Sequence, residues 1–127
     1  MNSQVRFINP VVLVKDIEVS KAFYRDVLNL KIVQDSGPFI LFEGHFSIHQ
    51  ARELLINAIK EDTSSEKVRL GSDNLLLYFE TDDLDDRFNE IKDKVDLVHP
   101  IVKQDWGQRV FRFYDPDRHL VEIGDPL

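Results

Sequence analysis

Because the chain of 127 residues contains no cysteine, a metal ion would have to be bound by His, Asp, Glu or amide side chains, and His and the carboxylates could also transfer a proton. Disulfides, thiolate catalysis, iron–sulfur clusters and cysteine-bound zinc are therefore excluded. Four such candidates lie on segments that read as strands: His45, His49, Glu80 and Glu122. His99 and His119 lie beside Pro100 and a polar turn, where structural or solvent-facing roles are the ordinary interpretation.

A second group of candidates is aromatic. Trp106 lies on a Gln-Asp-Trp-Gly loop before a strand, where its face can stack on a ligand ring or a cation. Packing at a rim or a subunit contact is the equally ordinary alternative. Tyr78 and Phe111 add aromatic surface, although aromatic residues on strands usually belong to the core.

The net charge and the composition limit the classes of molecule that the protein could bind. With 16 Lys+Arg and 23 Asp+Glu the net charge is −7, which argues against nucleic acid or an anionic membrane surface and permits a cationic small molecule. Phosphate-binding glycine loops and nucleophile elbows are absent from the sequence. No segment reads as a signal peptide or approaches the ~20 apolar residues of a membrane span, so a cytoplasmic protein is expected.

The elements that must position these residues repeat along the chain. The first half predicts a strand over residues 7–14, a helix capped by Asp16, and three strands over 31–34, 39–42 and 45–50. The second half predicts the same order: a strand over 75–79, a helix capped by Asp83, and strands over 97–102, 110–114 and 119–123. The two Asp residues are 67 positions apart.

This pattern predicts an α+β fold made of two βαβββ modules, at about residues 5–59 and 74–125 of a single domain spanning 1–127. A short helix over 52–59 and a solvated, mobile linker over about 60–73 join them. Two such modules curving together form a mixed sheet around a trough. Alternation puts Leu76, Tyr78 and Glu80 on one face of their strand, and Leu120 and Glu122 on one face of theirs.

The sequence resembles the vicinal oxygen chelate superfamily of glyoxalases, bleomycin-resistance proteins, extradiol dioxygenases and fosfomycin-modifying enzymes. Two signatures carry the resemblance: Val14-Lys15-Asp16-Ile17 with the segment 22–30, and Trp106-Gly107-Gln108-Arg109 with the segment 111–123. Asn29 and Arg118 stand where members commonly have Gly, and Arg118 predicts a slightly different turn geometry. The superfamily contains several chemistries and some non-catalytic binders, so the resemblance specifies a fold and no single reaction.

The resemblance also implies where a divalent metal would bind. Alignment on Asp16 puts the four ligand positions at Asn9, His49, Leu76 and Glu122, with an uncertainty of one or two residues at His49. Leu76 cannot bind a metal and Asn9 offers only a weak neutral carbonyl, so two good donors remain where enzymes bring three or four. Neither a metal nor another cofactor is therefore expected. Another strand register could still bring His45 or Glu80 into such a site.

Two functions follow. In the first, the chain resembles the bleomycin-resistance branch and captures a small amphipathic or cationic molecule without a metal. The ligand-binding candidates are Asn9, His49, Leu76, Tyr78, Glu80, Trp106, Phe111 and Glu122. In the second, it is a metal-dependent lyase, isomerase, dioxygenase or antibiotic-modifying transferase, in which His49 and Glu122 bind a divalent ion or Glu122 serves as the catalytic base. The resemblance further implies a homodimer.

Overall fold

The computed structural model describes residues 4–59 and 69–127 of the chain. The chain divides into two compact units, Met1–Ser65 and Glu66–Leu127. The described residues form eight strands, β1 Val11–Val14, β2 Ile32–Asp35, β3 Phe39–Phe42, β4 Phe46–Gln50, β5 Leu76–Glu80, β6 Asp96–Lys103, β7 Arg109–Tyr114 and β8 Leu120–Gly124. The α-helices in this part of the chain are α1 Ile17–Ala22, α2 Ala51–Ile59 and α3 Leu84–Ile91. None of these helices is long and apolar enough to cross a membrane.

Each unit contains one four-stranded mixed sheet with the same connectivity. The order is β1-β4-β3-β2 in the first sheet and β5-β8-β7-β6 in the second. β1 pairs parallel with β4, and β5 pairs parallel with β8, whereas the other neighbours are antiparallel. The predicted βαβββ repeat and the α+β class are therefore confirmed.

The core of each unit lies between its sheet and its helix. In the first unit the ring of Tyr24, just after α1, lies 6.0 Å from that of Phe42 and 5.0 Å from that of Phe46. In the second unit Phe88 of α3 contacts Phe111 of β7 edge to face, with 5.1 Å between ring centroids. Because side chains alternate along a strand, the opposite face of each sheet points away from that helix. We call it the helix-free face.

The first helix begins as its sequence predicts and ends differently. The Asp16 side chain accepts hydrogen bonds from the backbone N–H of Glu18 at 3.0 Å and of Val19 at 3.4 Å. Gln50 of β4 accepts a third bond from the N–H of Ile17, at 2.8 Å. The α-helix then gives way to a π-helical turn, Phe23–Val27.

Asp83, the second predicted N-cap residue, is at the N-cap position of its helix but does not make the capping hydrogen bond. Asp83 precedes α3, but its side chain accepts no hydrogen bond from the helix.

Because only Asp16 makes the cap bonds, we expect Asp16→Ala to lower the free energy of unfolding by about 1 kcal/mol. The matched change Asp83→Ala should stay within about 0.5 kcal/mol of the wild type. Equilibrium urea unfolding of the two variants measures this difference, and equal losses would contradict it.

The first strand is shorter than predicted. Regular pairing starts at Val11, which lies opposite Ser47, rather than at residue 7. Two causes are local: Pro10 has no N–H to donate, and β4 begins only at Phe46. Residues 7–10 therefore extend beyond the end of their partner strand.

Two residues that stand where relatives commonly have Gly adopt the conformation that favours Gly. The φ angles are 59° for Asn29 and 69° for Arg118. Arg118 thus adopts a φ angle that a glycine would adopt without strain. The guanidinium of Arg118 stacks on Tyr114 at 3.8 Å and pairs with Asp96, and these contacts offset the strain of a left-handed arginine.

The predicted linker lies partly outside the described residues, which omit 60–68. Gly71 belongs to the described end of this linker. It lies against the turn between β7 and β8 and has a φ of 61°. A Cβ at this position would overlap the backbone of Asp117 and Arg118. Gly71 is therefore packed against this turn, whereas Ser72 and Asp73 after it are exposed, as a solvated linker predicts.

β6 is an edge strand, as Pro100 predicts. The pairing of β6 with β7 shifts register between His99 and Val102, on either side of the proline. An edge position tolerates the missing N–H of proline, and the irregularity absorbs it.

Candidate functional site

The helix-free face of the second sheet carries a row of four functional side chains. Pairing puts Tyr78 of β5 opposite Glu122 of β8, Glu122 opposite Arg112 of β7, and Arg112 opposite His99 of β6. The row thus crosses all four strands. We call these four residues the transverse row.

Glu122 is neutralised inside this row. Its carboxylate accepts a hydrogen bond from Nε of Arg112 at 2.7 Å, and only 7% of the Glu122 side chain is exposed, against 25% for Arg112. A carboxylate this buried requires a cationic partner or hydrogen-bond donors. In this structure Glu122 therefore has Arg112 as its cationic partner.

His99 extends the pair. Its Nδ1 lies 2.7 Å from the carbonyl oxygen of Pro100, and its Nε2 lies 3.1 Å from Nη1 of Arg112. A carbonyl only accepts and a guanidinium only donates, so these contacts require a proton on Nδ1 and a lone pair on Nε2. The sequence pointed to a structural or solvent role and missed this contact, because it depends on the register of β6 against β7.

His119 has the structural role that was expected. It is buried, and its Nδ1 lies 2.8 Å from Oδ2 of Asp115. Asp115 also accepts the backbone N–H of Asp117 and of His119, each at 2.9 Å. These bonds hold together the turn between β7 and β8.

A chain of hydrogen bonds lies beside the transverse row. Nε1 of Trp106 donates to Gln108 at 3.0 Å, Nε2 of Gln108 donates to the hydroxyl of Tyr78 at 2.7 Å, and that hydroxyl donates to Glu80 at 2.5 Å. We call these four residues the Trp106 relay. The relay brings together three of the candidates that the sequence singled out, and it ends on a carboxylate.

Gln108 is the member of this relay that the candidate set lacked. It is 6% exposed and also donates to the carbonyl oxygen of Asp125 at 2.6 Å. Gly124 makes room for it, because a Cβ there would lie 2.7 Å from Nε2 of Gln108. A glutamine in a loop has no local signal for such burial, which depends on a glycine 16 residues later in the chain.

Tyr78 is held in its neutral form. Desolvation and the hydrogen bond to Glu80 raise the pKa of its phenol above the ordinary value of 10.0, while the bond donated by Gln108 acts in the opposite direction. The phenol therefore remains a donor to Glu80 at neutral pH.

Leu76 and Phe111 lie in contrasting places. Leu76 is on the helix-free face, 44% exposed, and lies opposite Leu120. Phe111 is fully buried on the helix face against Phe88. Its assignment as a ligand-binding residue was wrong, and it belongs to the core.

In the first unit Asn9 and Ser47 are bonded to each other. Nδ2 of Asn9 donates to Oγ of Ser47 at 2.6 Å, and the Ser47 hydroxyl donates to the carbonyl oxygen of Pro10 at 3.0 Å. Ser47 is fully buried. Both residues lie on the helix-free face of the first sheet.

The pairing register moves the ligand position that the sequence alignment put at His49. Val11 and Tyr78 each lie five residues before the Asp that precedes their helix, and they pair with Ser47 and Glu122, respectively. Ser47, rather than His49, is therefore the internal equivalent of Glu122. The displacement of two residues keeps the same face of the strand, so alternation could not reveal it.

His49 lies further along the same face. It pairs with Leu13, and its ring lies 6.1 Å from that of Phe39. Its Nδ1 is 2.9 Å from the carbonyl oxygen of Gln50, which only accepts, so Nδ1 carries a proton. It contacts neither Asn9 nor Ser47 by a hydrogen bond.

These residues do not fit a catalytic metal of the kind that the resemblance implies. The four positions hold an amide, a hydroxyl, a leucine and a carboxylate already paired with a guanidinium. Within residues 4–59 and 69–127, no three or more His, Cys, Asp or Glu side chains are arranged to hold a metal ion. Divalent ions need several hard or borderline donors, which this set does not supply.

Comparison with known proteins agrees with the architecture. Residues 7–127 match the glyoxalase-like domain family. The uncharacterised protein YraH of Bacillus subtilis is 31% identical over 117 residues, which cover 87% of this chain and 91% of that protein. The crystal structure of a protein of unknown function from Agrobacterium tumefaciens is 48% identical, with a TM-score of 0.92 over 99% of this chain and 98% of that one.

A more distant structure shares only the fold. A glyoxalase/bleomycin resistance protein/dioxygenase from Nocardioides is 16% identical, with a TM-score of 0.74 over 100% of this chain and 87% of that one. The match over nearly the whole chain and the two repeated modules lead to one conclusion. This chain belongs to the glyoxalase-like domain family of the vicinal oxygen chelate superfamily.

Proposed function

We propose that this protein binds a small amphipathic cation on the helix-free face of its second sheet, without a catalytic metal. The observation that carries the proposal is the Trp106 relay, which ends on Glu80. Glu80 is exposed and accepts from the hydroxyl of Tyr78 and, at 3.3 Å, from the backbone N–H of Leu127. Both donors are neutral, and no cationic side chain among the described residues pairs with Glu80.

Apolar and aromatic surface is exposed along the same face of β5 and on the loop where the relay begins. Trp106 is 63% exposed, Leu76 44% and Tyr78 41%. A cation beside Glu80 gains Coulomb attraction to the carboxylate. An aromatic ring of the ligand gains contact area on Trp106, and a positive charge over the face of Trp106 gains cation–π attraction. The relay fixes Tyr78 and Gln108 in advance, which lowers the entropy cost of binding.

Glu122 has a different part in this proposal from the one the sequence suggested. Its charge is matched by Arg112, so it adds little attraction for a cation. Charge recognition rests on Glu80.

The experiment measures binding of proflavine, a flat aromatic cation, by calorimetry and by the shift of the melting temperature. At 100 times Kd, a ligand bound only by the folded state stabilises it by about 2.7 kcal/mol. We expect Trp106→Ala and Glu80→Gln each to weaken binding about fivefold, which corresponds to ~1 kcal/mol for each contact.

The matched control is Asp93→Asn, which removes one exposed negative charge away from the relay. Its affinity should stay within about twofold of the wild type, because a distant exposed charge is screened by salt. No binding by the wild type, or equal losses in Glu80→Gln and Asp93→Asn, would contradict the proposal.

A metal-dependent lyase, isomerase, dioxygenase or transferase is the alternative, and the donor set described above does not favour it. Elemental analysis of protein purified without added metal separates the two. We expect far less than one divalent ion per chain. A nearly stoichiometric ion that is lost in Glu122→Ala would favour the enzyme instead.

We also propose that the protein forms a homodimer through the segment before β1. Val5, Phe7 and Ile8 are 95%, 82% and 65% exposed, and this segment has no partner strand among the described residues. Neighbouring exposed apolar side chains on an unpaired edge favour association.

Light scattering tests this proposal. We expect it to give a mass of two chains for the wild type and a lower mass for Phe7→Asp. An unchanged dimer in Phe7→Asp would exclude this segment as the interface.

A further inference from the structure

We propose that Arg112 binds a neutral carbonyl oxygen of the ligand, so that the preferred ligand combines a cation, an aromatic ring and an amide, ester or ketone. This inference rests on the proposed function and names the class of ligand more closely. It concerns the transverse row, which lies next to the Trp106 relay and shares Tyr78 with it.

The guanidinium of Arg112 is held in place on three sides. Nε donates to Glu122 at 2.7 Å, Nη1 contacts Nε2 of His99 at 3.1 Å, and Nη2 lies 3.5 Å from Oε1 of Gln104. A guanidinium has five N–H groups, so these contacts with described residues leave one on each terminal nitrogen. A quarter of the side chain is exposed, so a ligand can reach it.

The charge of the pair decides which oxygen fits. Glu122 already neutralises Arg112, and its carboxylate lies 2.7 Å from Nε. A ligand carboxylate would bring a second negative charge close to Glu122, and like charges at such range repel. A carbonyl oxygen accepts the two remaining N–H groups without adding a charge.

The spacing of strands sets the length of the ligand. Tyr78, Glu122 and Arg112 lie on three adjacent strands, so Arg112 is about 10 Å across the sheet from Tyr78. A carbonyl at Arg112 and a cation at Glu80 are therefore separated by a linker of several bonds. (6-Benzoyloxyhexyl)trimethylammonium has this form. Its benzyl ether, which has a methylene in place of the carbonyl, is the matched probe.

The test is calorimetric titration of both probes into the wild type and Arg112→Lys. We expect the wild type to bind the ester at least fivefold more tightly than the ether. In Arg112→Lys, which keeps the charge and loses the planar fork, the preference should vanish while the affinity for the ether stays within twofold.

A second variant keeps the test decisive if Arg112→Lys does not fold. His99→Leu leaves the Glu122 pair intact and removes the acceptor that orients Nη1, so we expect it to reduce the preference for the ester about threefold. Equal binding of both probes by the wild type, or an unchanged preference in both variants, would overturn the inference and leave the proposed function standing. Failure of the wild type to bind either probe would overturn both.

Discussion

Replacing Arg112 by leucine is expected to lower the free energy of unfolding by about 2 to 3 kcal/mol. The change leaves the carboxylate of Glu122 buried without its cation, and breaking a buried pair on one side costs about 3 to 5 kcal/mol. The lower figure reflects the partial exposure of Arg112, which lets water reach the site. Equilibrium denaturation measures the loss.

The double variant Arg112→Leu with Glu122→Leu tests the reason for this loss. Removing the carboxylate as well should recover at least half of the stability, because no uncompensated charge remains. The exposed pair of Arg25 with Asp26, also at 2.7 Å, is the control. Arg25→Leu should leave the free energy of unfolding close to that of the wild type, since exposed ion pairs contribute little. A double variant less stable than Arg112→Leu would show that the pair is not the cause.

Replacing Gly71 by alanine is expected to lower the free energy of unfolding by at least about 2 kcal/mol. The left-handed φ of 61° alone costs a residue with a Cβ about 1 to 2 kcal/mol. The new methyl would also overlap the backbone of Asp117 and Arg118, which cannot move without disturbing the turn between β7 and β8. A fall in melting temperature of about 8 °C corresponds to this loss in a domain of this size.

Gly37 provides the matched control for this substitution. Its φ is 82°, but nothing lies within 4 Å of the position that a Cβ would take. Gly37→Ala should therefore cost only the backbone strain, about 1 kcal/mol. If the two alanine variants lost the same stability, the segment containing Gly71 would not be packed against the turn.

Local pattern was sufficient for most of the fold. Phe39–Phe42 is a strand over the predicted residues, and the other strands differ from their predicted limits by a few residues at most. Strand periodicity and helix capping depend on side chains a few positions apart, and these are visible in one sequence. The same holds for Asp16, whose cap bonds span two and three residues.

The candidate site was predictable only in part. Alternation correctly grouped Tyr78 with Glu80 on one face of β5 and Glu122 with Leu120 on one face of β8, since a strand exposes every second side chain to one side. It did not say which of the two faces the helix leaves uncovered. It could not separate Ser47 from His49, which share a face two residues apart. Phe111 was misassigned because parity does not say which face a helix covers.

The sequence by itself determined the two βαβββ modules and the family, because each depends on residue type or short-range periodicity. It also has a leucine at position 76, where the resemblance implies a metal ligand. The tertiary structure decided which charges meet. Arg112 and Glu122 are ten residues apart in the chain, and Gln108 and Tyr78 thirty, and only strand pairing brings each couple within hydrogen-bond distance. Such contacts follow from register, which a single sequence leaves open to shifts of two residues along the same face.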